Sequence, residues 1–332
     1  MSPVNTAGNN NLRPLFLFAL SRSGSTLLQR MLATHPQVST SAEPWVLLPF
    51  WDVLDHSGRT FSLYGHELAT RAVMEFAENL PEGRATMVER IRQLVLGLYA
   101  DAAGENAHFF LDKTPAYSLI CREIVEMFPE ARFVWLVRHP LSVVASMTET
   151  FADGKWYIYR RLHELYLGLA ELAACYEANQ QIMIKLRYED LLCNPDREMR
   201  RLFSYLGLSA DEADWRRFPR VELHGRMKDP TGVNAYKTLS SEPLTKWRDS
   251  FRNPFRKAWA RRYLAWIGRE RLALMGYSLD EIQTDLDSIP VRMRGLAGDV
   301  ARHLYGLWRV RTQADVAAMM RRLPKERWGV LH

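Results

Sequence analysis

Residues Leu15–Leu32 read LFLFALSRSGSTLLQRML. A short apolar strand runs into a polar Gly/Ser turn and emerges at once as an apolar helix. That geometry leaves backbone N–H groups and a helix N-terminus facing the strand end, which is a ready anion site. The turn carries Arg22, Ser23, Gly24, Ser25 and Thr26 but not the GxxxxGK[ST] spacing of nucleotide triphosphatases. The pattern predicts a phosphate cradle with an occupant other than ATP.

The flanking sequence extends this unit into a sheet. His108–Asp112, Ala131–Val137 and Gln181–Arg187 are apolar runs of strand length, and each is followed by a helical pattern. His35–Phe50 reads as a second short strand followed by an active-side loop. The βαβ rhythm predicts an α/β fold: a P-loop-type parallel sheet flanked by helices. A helical insertion is expected over about 55–107, a flexible lid over about 209–250 and a helical C-terminal appendage over 280–332. Residues 1–279 would then form the main domain. Residues 155–179 are expected as one long aromatic-rich helix.

The chain has 332 residues, of which 47% are hydrophobic, enough for a full core. Cys121, Cys175 and Cys193 show neither metal spacing nor a disulfide framework, which suits a reducing, cytoplasmic setting. The Leu12–Leu20 stretch is too short to span a bilayer and reads as a buried strand, so no transmembrane segment is expected. Residues 291–332 hold nine Lys/Arg against three Asp/Glu, so the net charge of +6 resides there and residues 1–290 are neutral overall. Bulk charge therefore excludes a nucleic-acid surface on the main body. The basic tail could meet an acidic carrier protein or an anionic membrane, or be a solvated helical face.

Arg138 follows the strand Phe133–Val137, and Ser146 lies eight residues on in the next helix. A guanidinium supplies rigid bidentate donors for phosphate, and a serine hydroxyl can complete the shell. Alone, Arg138 could equally make a structural ion pair; beside the loop at Ser21–Thr26 it gives a second anion site on one sheet, which suits a nucleotide phosphorylated at both 5′ and 3′ positions.

SRSGSTLLQRML (21–32), VWLVRHPLSVVASM (134–147) and LRYEDLLCNPDREMRRLFSYLGL (186–208) occur in this order. Together they resemble the corresponding segments of sulfotransferases that use 3′-phosphoadenosine 5′-phosphosulfate (PAPS). The resemblance implies that Arg22, Ser23, Gly24, Ser25 and Thr26 hold the phosphosulfate end, and that Arg138 and Ser146 hold the 3′-phosphate. It is nearer to the tyrosylprotein and polyketide-pathway branch than to the cytosolic small-phenol branch. LDKTP (111–115) lacks the histidine that the latter places after its lysine, while HPQVSTSAEPWVLLPF (35–50) is similar to a loop whose glutamate acts as base. This assigns the base to Glu43 and stabilisation of the departing oxygen to Lys113. His224 is the rival base. YKTLSSEPLTKW (236–247) resembles the segment closing over the nucleotide, which adds Tyr236, Lys237 and Ser240 as phosphate contacts.

Asp112, Glu189 and Asp190 form no compact ligand set, and sulfuryl transfer needs no metal. The apolar cluster Trp45–Trp51, with an aromatic patch of Trp156, Tyr157 and Tyr159, is expected to wall a pocket for a hydroxyl on a hydrophobic natural product or acyl chain. That acceptor would be a small molecule or carrier-bound. The alternatives are a tyrosyl peptide or saccharide acceptor, and a nucleotide-binding module without turnover.

Overall fold

The computed structural model describes residues 11–54, 66–223, 239–240 and 242–312. Its centre is a five-stranded, all-parallel sheet of order β2-β3-β1-β4-β5. The strands are β1 Arg13–Phe18, β2 Val38–Thr40, β3 Phe109–Asp112, β4 Arg132–Val137 and β5 Met183–Arg187. From β1 the chain fills one side of the sheet with β2 and β3, then crosses to the other side for β4 and β5. A change of direction of this kind opens a crevice at the C-terminal strand ends.

The strands read as unbroken apolar runs because both faces of the sheet are covered. Alternate residues enter opposite cores. Phe16, Phe18, Phe110, Phe133 and Trp135 face one layer. Leu15, Leu17, Leu111, Val134 and Leu136 face the other. Phe18 and Phe133 stack with centroids 5.9 Å apart, fastening β1 to β4.

Helices α1 Ser25–Leu32, α2 Leu47–Leu54, α3 His66–Ala77, α4 Arg84–Ala102 and α5 Cys121–Met127 occupy the first half. The expected helical insertion is thus mostly α3 and α4. After β4 come α6 Pro140–Ala152 and α7 Leu169–Ala178, and after β5 come α8 Tyr188–Cys193 and α9 Pro195–Leu206. The C-terminal third adds α10 Trp247–Ser250, α11 Pro254–Met275, α12 Leu279–Ser288 and α13 Leu296–Thr312. Ile282, Leu286 and Ile289 join the same core as β1, and Lys257 donates to the carbonyls of Asp287 and Ile289. No helix among the described residues is long and apolar enough to cross a membrane.

The single helix expected over 155–179 is instead three pieces. Residues Ile158–Arg161 form a 3-10 turn, His163–Gly168 a π-helical turn, and only Leu169–Ala178 is regular. The cause lies at the start. Trp156 is fully buried against Phe251, Phe255 and Trp259, which draws the chain inward before any helix begins. A π-turn widens the coil locally and redirects one side chain. Here that side chain is Glu164.

Within the stretch 209–250, Arg30 donates to the carbonyls of Pro219 and Val221, and Phe218 is buried beneath it. Residues 224–238 and 241, including His224, Tyr236 and Lys237, lie outside the described residues.

Candidate active site

The chemistry-bearing residues gather at the C-terminal edge of the sheet because each directly follows a strand. The turn after β1 is sharply shaped: Arg22 and Gly24 adopt left-handed conformations with φ of 67° and 90°. Gly24 is required for a second reason. A Cβ there would come within 2.3 Å of the Tyr188 ring, so α8 can close on the loop only if that side chain is absent. Ser23, Ser25 and Thr26 are buried, and α1 begins at Ser25 with its N-terminus at the loop.

Lys113, at the end of β3, projects into this turn. Its ammonium lies 3.3 Å from Thr26 Oγ1 and 2.7 Å from Glu43 Oε1. Its side chain is 3% exposed and that of Glu43 16%, so the pair is largely shielded from water. The other oxygen of Glu43 accepts the indole N–H of Trp45 at 3.2 Å. Trp45 has φ of 59° and is 38% exposed. A bulky residue held there stores on the order of 1–3 kcal/mol of backbone strain, a feature that clusters at functional sites.

Beneath Lys113, the preceding Asp112 is fully buried and accepts hydrogen bonds from Tyr99 (2.6 Å), Thr114 (3.0 Å) and Tyr117 (3.1 Å). Burial dominates over these donors and pushes its carboxyl up to about 6. Asp112 thus anchors the end of β3 and is already engaged by three hydroxyls.

The second anion element lies at the end of β4. One Arg138 nitrogen donates to the Arg22 carbonyl at 2.8 Å and another to the Pro243 carbonyl at 3.3 Å. Its guanidinium sits 4.6 Å from the Tyr188 ring centroid. Its third nitrogen, Nε, is buried with no partner. An unsatisfied buried guanidinium donor is costly without an acceptor, so the group fits an anionic ligand. Arg22 reaches 3.3 Å to Ser146 Oγ on α6, so Ser146, Arg22 and Arg138 form one connected chain around the loop. Ser240 is exposed and accepts the Glu242 N–H at 3.2 Å, close in sequence to the Pro243 carbonyl that holds Arg138.

Four neighbouring residues have structural duties. His139 caps α6, accepting the Ser142 N–H, and stacks on Trp247 with centroids 4.7 Å apart. Burial, with Arg138, Arg187 and Arg248 nearby, lowers its imidazole to about 3. Glu189 accepts the His139 N–H and the Tyr277 hydroxyl, and Asp190 lies 3.8 Å from Arg187. Trp247 is core.

Two site residues carried no signal at sequence level. Glu164 accepts the Ser21 N–H, and its placement depends on the π-turn. Burial raises its carboxyl above the ordinary range, and the charge of Glu43 adds to the shift. Tyr188, the aromatic wall behind both Gly24 and Arg138, lies within LRYEDLL, where it passes for an ordinary core residue.

The expected apolar cluster divides. Leu47, Leu48 and Trp51 turn into the core, leaving Trp45 as the exposed aromatic beside Glu43. The helical register of α2 explains this, since it points the three inward together. Tyr159 packs against α13 with its ring 6.2 Å from that of Tyr305. Among the described residues, no group of three or more His, Cys, Asp or Glu is placed to hold a metal.

The model of a family described as the sulfotransferase family matches residues 14–212. The nodulation protein NoeE of Sinorhizobium fredii is 28% identical over 218 residues, covering 58% of this chain and 49% of that protein. A protein-tyrosine sulfotransferase of Drosophila melanogaster is 24% identical over 256 residues, 72% of this chain and 48% of its own. The omega-hydroxy-beta-dihydromenaquinone-9 sulfotransferase Stf3 of Mycobacterium bovis is 29% identical over 110 residues, 29% of this chain and 28% of the relative. The chain spans about half the length of the first two of these relatives.

Proposed function

Because the chain belongs to the sulfotransferase family, we propose that it moves the sulfuryl group of PAPS onto a hydroxyl of a hydrophobic natural product or acyl chain. The observation that carries this reading is the convergence of Lys113 on both Glu43 and the Thr26 hydroxyl. A carboxylate, an ammonium and an anion loop at one point are the parts that in-line sulfuryl transfer needs. The donor supplies an electrophilic sulfur and a nucleotide leaving group. Glu43 takes the proton from the acceptor hydroxyl as the new S–O bond forms. Lys113 and the N–H groups of Gly24–Thr26 meet the negative charge that develops on the bridging oxygen as the old S–O bond breaks. The products are the sulfate ester and 3′-phosphoadenosine 5′-phosphate, with the proton on Glu43.

The nucleotide assignment is supported by Arg138. Its buried, unpartnered Nε and its tie to the anion loop suit a 3′-phosphate. A hydrophobic acceptor is supported by Trp45, exposed beside Glu43, and by the name of the Stf3 relative, which specifies a hydroxyl on a menaquinone.

Calorimetric binding of 3′-phosphoadenosine 5′-phosphate to the wild type and to Arg138→Ala tests the nucleotide half. Removing a charge-assisted bidentate donor should cost on the order of 2–3 kcal/mol of binding. Binding of ATP in place of the bisphosphate would reject the reading. Radiolabelled PAPS offered with long-chain alcohols, tyrosyl peptides and saccharides tests the acceptor half. Labelling of peptide or sugar alone moves the assignment to those acceptors, and stoichiometric nucleotide binding without any labelling moves it to a binding module.

A further inference from the structure

Helix α13 is rotated so that its apolar side faces outward. Two inward contacts set that rotation. Near its start the buried Asp299 accepts hydrogen bonds from Asn253, Arg256 and Arg302. Near its middle Gly306 lies on the Tyr159 ring, where an added Cβ would meet the ring at 2.7 Å. The opposite side carries Leu304 and Trp308, which are 60% and 57% exposed, with Tyr305, 46% exposed, at its edge beside the Tyr159 ring. Ala297 and Ala301 are also exposed, and with Leu304 and Trp308 they follow the i, i+4, i+7, i+11 spacing of one helical stripe. In the turn before the helix, Val291 and Met293 are 56% and 66% exposed and alternate with exposed Arg292 and Arg294.

Exposed large apolar side chains grouped on one element mark a binding surface. Leu, Tyr and Trp on one face, bordered by arginines, form the composition of a helix lying in a membrane interface. The local charge agrees, since residues 291–312 hold five arginines against one aspartate. A second copy of the chain is a weaker fit, because a stable protein interface needs roughly 800 Å² per partner and this stripe has three large side chains.

We propose that α13 and the Val291–Arg294 turn form a docking surface for an anionic lipid bilayer. Leu304 and Trp308 enter the acyl boundary, and Arg292 and Arg294 meet the lipid phosphates. The proposal is independent of the reaction assigned above.

The test is co-sedimentation of the full chain with phosphatidylcholine vesicles, with and without phosphatidylglycerol, at low and physiological ionic strength. The wild type should partition onto the phosphatidylglycerol vesicles, and more strongly at low salt. Leu304→Ser/Trp308→Ser should weaken that partitioning about tenfold or more. Arg292→Ser/Arg294→Ser should weaken it and flatten its salt dependence. Because all four side chains point to solvent, the melting temperature should stay unchanged in both variants. Failure of the wild type to bind these vesicles would overturn the proposal, as would wild-type binding by both variants. So would a dimer in sedimentation velocity that Leu304→Ser/Trp308→Ser dissolves, or capture of an acidic carrier protein without vesicle binding.

Discussion

Lys113 and Glu43 are seventy residues apart in the chain, yet their side chains meet at 2.7 Å. Glu43→Gln should lower the transfer rate by about 10²–10⁴-fold, the usual contribution of a positioned base. Lys113→Met should lower it comparably. It should also destabilise the fold by about 3 kcal/mol, because Glu43 then loses its partner in a largely shielded place. Single-turnover transfer and thermal melts measure the two effects. Full activity in Glu43→Gln would pass the base role to His224.

Glu164 aims its carboxyl at the N–H of Ser21, inside an anion loop. Glu164→Gln should therefore tighten binding of 3′-phosphoadenosine 5′-phosphate by about tenfold at neutral pH, from relief of like-charge repulsion at short range. Burial raises the pKa of this carboxyl, so it takes up its proton earlier than an exposed glutamate as pH falls. The gap between wild type and variant should accordingly narrow at acid pH. Calorimetry at two pH values reads this directly, and equal affinities throughout would reject it.

Gly24→Ala meets two obstacles at once. The backbone term at φ 90° costs about 1–3 kcal/mol, and the methyl collides with Tyr188. A lowered melting temperature and weakened nucleotide binding are expected. Adding Tyr188→Ala should restore only the steric part, leaving the backbone part as a residual loss.

His139 gives the fold an acid-sensitive point. Its imidazole is lowered to about 3 in the folded protein, against about 6.5 when unfolded. Its contribution is therefore fully present above pH 6.5 and is lost as pH falls towards 3. Between pH 7 and 5 the loss should reach about 2 kcal/mol. Asp112 has the opposite sign, since its raised carboxyl favours the folded state below its unfolded value of 3.8 and loses that advantage as pH rises to about 6. Denaturant titrations of wild type and His139→Gln across this range isolate the histidine, because the Asp112 slope is common to both.

The β1–turn–α1 unit and the parallel sheet are legible in the sequence because their causes are local: an apolar run, a Gly-containing turn, an apolar helix. Arg138 and Lys113 are legible for the same reason, each standing directly after a strand. Glu164 is not, since nothing in RLHELYLGL distinguishes a π-turn from an ordinary helix. The packing of Trp156 that precedes it involves residues about a hundred positions away. Helix α13 is the sharpest departure. Periodicity alone sends an apolar stripe inward and leaves the charged side solvated. The buried Asp299 cluster and the Gly306–Tyr159 contact turn the helix the other way. Similarly, the Trp45–Trp51 run is apolar enough for a pocket, but the register of α2 commits most of it to the core.

Of the three cysteines, Cys121 and Cys175 are buried and Cys193 is exposed. Cys193 closes the same short helix that opens with Tyr188, the ring touching both Gly24 and Arg138. A thiol-reactive dye would therefore attach at one position, less than two helical turns from the wall of the nucleotide cradle. The protein carries its own anchorage for an optical reporter, and a change in its fluorescence on adding 3′-phosphoadenosine 5′-phosphate would read occupancy of the cradle before any acceptor is known.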